Sequence, residues 1–165
     1  MRAMLRVYGD SPTARGAATP DGNAQAPGTF FRVPGTIELA RLHIERWNTS
    51  ELDDVFATWD PDIVVRPDPY YPDSAELVGS EPARRFWLDQ ARYSGVGRME
   101  IVEERDLGDR SLIRIRQHVD APASGIQSSY QWSFLTTARE GRVVRIEFFI
   151  DRDRRMAAAG LQEQP

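Results

Sequence analysis

The sequence predicts an α+β fold, and three observations carry that prediction. Between residues 36 and 94, apolar side chains recur at helical spacing. After residue 99 the period changes to two, with turn residues at regular intervals. Helical segments come first and strands last, an order that suits helices packed on one face of a curved, mostly antiparallel sheet.

Each element has its own signal. Pro34-Gly35-Thr36 is a stop followed by an N-cap candidate, and Ile37, Ala40, Ile44 and Trp47 then recur on one helical face. Ser50 is the expected cap of a second short helix, whose inner stripe is Leu52, Val55, Phe56 and Trp59, and Asp60-Pro61 ends it. Ile63-Val64-Val65 reads as a short strand. Gly79-Ser80 opens a third helix, with Glu81 and Pro82 in its first turn and Ala83, Phe86, Trp87 and Gln90 on its inner face. Four strands follow, Met99 to Asp106, Ser111 to Asp120, Gln127 to Thr137 and Val143 to Asp151. A short helix from Arg152 to Ala159 ends at Gly160.

Length and charge narrow the function. The 165 residues suit one domain, and 41% apolar content can build a core. Residues 1–35, rich in proline, glycine and alanine, read as a flexible N-terminal extension on which Phe30 and Phe31 are the docking candidates. The folded domain is expected over 36–161, with 162–165 as a tail. A net charge of −4 argues against general nucleic-acid binding. No run is long and apolar enough to span a bilayer and no secretory signal is evident, so a cytoplasmic protein is expected. Cysteine is absent, and His43 and His118 alone do not make a zinc site, so no metal is expected. All 21 basic side chains are arginine, a bias of GC-rich bacterial genomes.

The stretch RPDPYYPDS, Arg66 to Ser74, packs three prolines, two aspartates and two tyrosines into one loop. Its prolines stiffen it, and Tyr70, Tyr71 and Asp68 offer contacts, so it reads as the rim of a pocket. Asp68, between two prolines, is either a base at the mouth or a turn-capping carboxylate. Arg66 either binds an acidic ligand group or pairs with Asp68 or Asp62. His43 shares the inner face of the first helix with Ala40 and Trp47, as a proton carrier or as a histidine bonded to the backbone. Trp47, Trp59 and Trp87 point inward as core or aromatic wall. Gln117 shares its strand face with Ile113 and Ile115, because the opposite face carries Arg114, Arg116 and His118. Glu147 is the expected partner for that charged row. Phe148 shares a face with Ile146 and is a further ligand contact. In the strand around Tyr130, residue type leaves two arrangements open. Either Tyr130, Trp132 and Phe134 face the core, or Ser129, Gln131 and Ser133 do, leaving Tyr130, Trp132 and Arg145 as dimer contacts outside.

The segments HIERWNTSELDDVFATWDPDIVVRPDPYYPDS, LVGSEPARRFW and EGRVVRIEFFIDRDRRMAAAGL resemble the SnoaL-like branch of the nuclear transport factor 2-like superfamily, over about Thr36 to Leu161. The resemblance implies a cone, in which a bent sheet wraps helices around a pocket. It implies a small hydrophobic or cyclic ligand, no cofactor and a homodimer. Compared with ketosteroid isomerases, His43 stands at the oxyanion-donor tyrosine and Pro67 at the general base, with Asp68 one residue later. Gln131 falls near the second oxyanion acid, which favours the serine–glutamine face inward. The departures are a shifted base and an amide in place of an acid. The expected activity is a cofactor-independent isomerase, cyclase or dehydratase acting on a polyketide-like or cyclic carbonyl compound. In it His43 and Asp68 carry the chemistry, and Gln117 and Gln131 orient the ligand. The alternative is a binding or dimerisation module of the same fold.

Overall fold

A computed structural model describes residues 32–71, 74–94, 97–121 and 126–161. The readings of residues 1–31, including Phe30 and Phe31, and of the 162–165 tail lie outside the described residues.

Helix α1 spans Thr36–Asn48. Thr36 is its first residue rather than its cap. Gly35 precedes it in extended backbone, and the Glu38 carboxylate accepts the Gly35 N–H at 2.9 Å, closing the first turn. The helix buries Leu39, Ala40, His43, Ile44 and Trp47. Helix α2, Leu52–Ala57, is capped by position at Glu51 and not at Ser50, which sits at φ 62 in the left-handed region. Trp59 does not belong to its stripe. It opens strand β1, Trp59–Arg66. The Thr58 hydroxyl donates to the Val55 carbonyl at 2.7 Å at the helix end, and Pro61 pushes Asp60 into extended geometry.

Strand β2, Leu77–Val78, precedes helix α3, Ser80–Ser94. Strands β3, Met99–Asp106, β4, Arg110–Ala121, β5, Ile126–Arg139, and β6, Arg142–Phe149, follow, and helix α4, Arg152–Ala159, comes last among the described residues. The sheet order is β2-β1-β6-β5-β4-β3. β3 to β6 form an antiparallel meander, while β1 runs parallel to β6. Bulges at Ile101/Glu103 and Thr137/Ala138 break the register and bend the curved sheet.

The main core lies between the sheet and α1 and α3, with Ile63, Val65, Ile113, Ile115 and Ile146 all but inaccessible. A smaller cluster of Leu112, Leu135 and Ala159 lies where α4 covers the opposite face.

Strand faces settle the open question on β5. Gln117 pairs with Tyr130 and Ile115 with Trp132 across β4 and β5, and directly opposed residues share a face. Trp132 and Phe134 are buried in the main core. Gln131 is exposed and sits opposite Arg116 on the outer side. The inward serine–glutamine face is therefore wrong, and so is Trp132 as an outer dimer contact. Two aromatic side chains bury far more apolar area than a serine and a glutamine, and Ser133 and Leu135 are shielded outside instead. The charged row on β4 also pairs differently: Arg116 and His118 face Glu100, and Arg114 faces Glu103.

Gly97 lies against the β4 backbone at His118. A Cβ there would lie 1.9 Å from the His118 carbonyl oxygen. Among the described residues, no helix is long and apolar enough to cross a membrane.

Candidate functional site

Between the helices and the sheet lies a narrow aromatic cavity. Trp47 of α1, Phe86 and Trp87 of α3, Trp132 of β5 and Phe148 of β6 supply most of its wall. Met99, Gln90, Gln117, Tyr71 and Tyr130 complete it. The rings interlock: Trp87 and Trp132 each lie 5.2 Å from Phe148, and Trp47 meets Trp87 edge-on at 6.4 Å. The cavity volume is only about 20 Å³, enough for one water molecule. A second recess of about 10 Å³ shares Trp47, Trp87, Met99 and Trp132 as walls and reaches His43 and Phe134. The hollow cone expected from the sequence is thus largely filled by rings, and a ligand larger than water enters only by moving them.

Gln117 is the central polar group of this wall. Its side-chain carbonyl accepts the Tyr130 hydroxyl and the Trp132 indole N–H, each at 3.0 Å. An indole N–H can only donate, so the amide orientation is fixed, with oxygen toward the two rings. The NH2 end takes no part in either bond. Gln117 is 3% exposed, and the two bonds satisfy its buried oxygen.

His43 lies at the inner recess and is 4% exposed. Its Nε2 is 2.8 Å from Thr58 Oγ1. The Thr58 proton is already committed to Val55, so Thr58 accepts here and His43 carries its proton on Nε2. Nδ1 keeps its lone pair. Burial lowers the pKa to about 4, so the ring is neutral at physiological pH.

Asp68 is fully buried but does not line the cavity. Oδ1 accepts the Tyr70 N–H and Oδ2 the Ile150 N–H, both at 2.9 Å. It ties the proline-rich loop to the end of β6, and both oxygens are occupied by backbone donors. The other expected contacts divide. Trp47, Trp87, Gln117 and Phe148 line the aromatic cavity. Trp59 is buried behind it, packed on Phe56 at 4.8 Å and Trp87 at 5.6 Å. Arg66 is exposed and pairs with Glu147 at 3.7 Å rather than with Asp68 or Asp62. Tyr70 is 69% exposed, beneath the Arg154 guanidinium. Gln131 lies on the outer face, away from the other candidates.

Tyr71 is the rim residue that turns inward, edge-on to Phe86 at 6.2 Å, and burial foremost raises its pKa. Of the Tyr70–Tyr71 pair expected at the rim, Tyr71 lines the cavity and Tyr70 does not. Tyr130 and Trp132, left open between core and dimer surface by residue type, also line it. The pairing decides it: Tyr130 lies opposite the inward Gln117 and Trp132 opposite the inward Ile115.

The chain covers a known fold. Residues 40–146 match the family model of the SnoaL-like domain. None of the curated proteins compared with the chain matches it. Among solved structures, a candidate SnoaL-like polyketide cyclase from Jannaschia sp. CCS1 superposes with a TM-score of 0.60 at 16% identity, covering 79% of this chain and 93% of that one. The TerC protein, co-crystallised with polyporic acid, gives 0.60 at 16% identity over 76% and 98% of the two chains. A protein of ketosteroid isomerase-like fold from Catenulispora acidiphila, in complex with trimethylamine, gives 0.59 at 13% identity over 79% and 99%. These structures share the sheet-and-helix cone. With the model match spanning more than half of its length, this chain belongs to the SnoaL-like domain family.

Proposed function

We propose that the chain binds a small ring compound bearing a carbonyl group in its aromatic cavity and releases it chemically unchanged. One observation carries this reading: the described residues that line the cavity are aromatic, apolar or amide, and none is charged. Ring faces and edges recognise a flat ligand, and in this reading the Gln117 NH2 donates to its carbonyl oxygen. Asp68, the expected base, holds backbone instead. In this proposal the protein needs no cofactor, works in the cytoplasm and forms a homodimer.

The test uses acetophenone as probe. Saturable quenching of tryptophan fluorescence is expected, because three of the wall residues are tryptophans. The Gln117→Leu variant should bind about tenfold more weakly, as for one lost hydrogen bond. Acetophenone recovered after incubation should be intact by mass spectrometry. Quenching that never saturates ends the proposal.

A second reading keeps acid/base chemistry of the isomerase, cyclase or dehydratase type on a cyclic carbonyl compound. The observation favouring it is His43 in the inner recess with an unprotonated Nδ1. A pKa of about 4 makes that nitrogen a weak base. Product formation that disappears in His43→Gln would select this reading over binding alone.

A further inference from the structure

The outer face of the sheet holds another recess, of about 90 Å³, between α4 and strands β4 and β5. Arg114, Gln131, Ser133, Ile150, Arg152 and Arg155 line it. Arg155 is only 3% exposed, rare for an arginine. Its Nη1 donates to Ser133 Oγ at 3.2 Å and lies 3.7 Å from Glu103 Oε2. The same carboxylate faces Arg114 at 3.3 Å and Arg105 at 3.1 Å. Three guanidiniums therefore share one acid, in a chain whose net charge is −4.

The hydrogen bonding is incomplete as well. Nε of Arg155 and Nε of Arg114 are both buried without a hydrogen-bond partner. Taking a guanidinium out of water costs several kcal/mol unless charge and hydrogen bonds compensate it. The shared Glu103 compensates only part. A guanidinium presents a planar fork of donors that matches the oxygens of carboxylate and phosphate. Ser133, whose oxygen receives Arg155, still has its own proton to donate, and Gln131 adds an exposed amide at the rim.

We propose that this recess binds a small oxyanion, a phosphate or carboxylate group, between Arg114 and Arg155, with Ser133 and Gln131 as further donors. The anion completes the donor set that the protein leaves open. It comes either from a free small molecule or from an acidic side chain of a second copy of the chain.

Inorganic phosphate is the probe, compared with sodium chloride at equal ionic strength. At phosphate ten times its Kd, the folded-to-unfolded ratio should rise about elevenfold. Arg114→Gln, on a half-exposed side chain, should abolish that rise without unfolding the protein. Arg155→Gln should do the same, and Arg114→Gln alone decides the matter if Arg155→Gln does not fold. Gln117→Leu should retain the full response, which separates this site from the aromatic cavity. Light scattering distinguishes the sources. An unchanged mass assigns the site to a free anion, and dissociation of a dimer by phosphate assigns it to a carboxylate of the second copy. No phosphate-specific stabilisation, or an equal one in Arg114→Gln, overturns the proposal.

Discussion

Gln117 and Trp132 are joined across two strands by one hydrogen bond of 3.0 Å, from the indole N–H to the amide oxygen. Tyr130 makes a second bond to the same oxygen. Replacing Gln117 by leucine keeps the volume roughly constant but strands a buried indole donor. The variant should lose about 1–3 kcal/mol of stability by urea unfolding. A loss below the error of that measurement would mean that both donors find water instead.

His43 should give the protein a pH-dependent stability. Burial holds its pKa at about 4, below the ordinary 6.5, so between those values the unfolded chain binds more protons than the folded one. The contribution is complete above the unfolded value and is lost as pH falls toward the folded one. Its full size is on the order of 3 kcal/mol. His43→Gln should flatten the stability curve in this window, measured by urea unfolding near neutral pH and at about pH 5. Parallel curves for variant and wild type would remove His43 from the account.

Asp68→Asn separates structure from chemistry. An amide offers one acceptor oxygen where the carboxylate offers two, so either the Tyr70 or the Ile150 N–H loses its partner. The cost should be about 2 kcal/mol. Acetophenone affinity of the folded variant, by fluorescence titration, should stay within about twofold of wild type. A large loss of affinity with stability unchanged would place Asp68 at the ligand after all.

Gly97→Ala should be among the most damaging single changes. The added carbon would overlap the His118 carbonyl, a backbone atom that cannot rotate away. The Gly97 carbonyl also accepts the Trp47 indole N–H at 3.1 Å. Thermal denaturation should show a loss of about 2 kcal/mol or more. A variant as stable as wild type would show that β4 can shift at this point.

Much of the fold was legible because the periodic signals were local. Helix α4, Arg152–Ala159, and strand β3, Met99–Asp106, follow directly from caps, turn residues and alternation. The two-residue strand β2 had no such signal and exists only by pairing with β1. Trp59 illustrates a conflict: its spacing from Val55 is helical, but the Thr58 stop and Pro61 override it. The site was harder because it depends on parity. Whether Gln131 or Trp132 faces inward is set by the register between β4 and β5, and one residue of slip reverses every side chain. Asp68 stayed open between two readings for another reason. Its two backbone partners include Ile150, 82 positions away, and no local pattern announces that contact.

The most direct test of the central claim is a crystal structure of the protein soaked with acetophenone. The account predicts the intact ketone between the rings of Phe86, Trp132 and Phe148, with its oxygen within hydrogen-bonding distance of the Gln117 amide nitrogen and Tyr71 displaced. Acetophenone found only on the surface, with the aromatic rings closed as they are here, would contradict it.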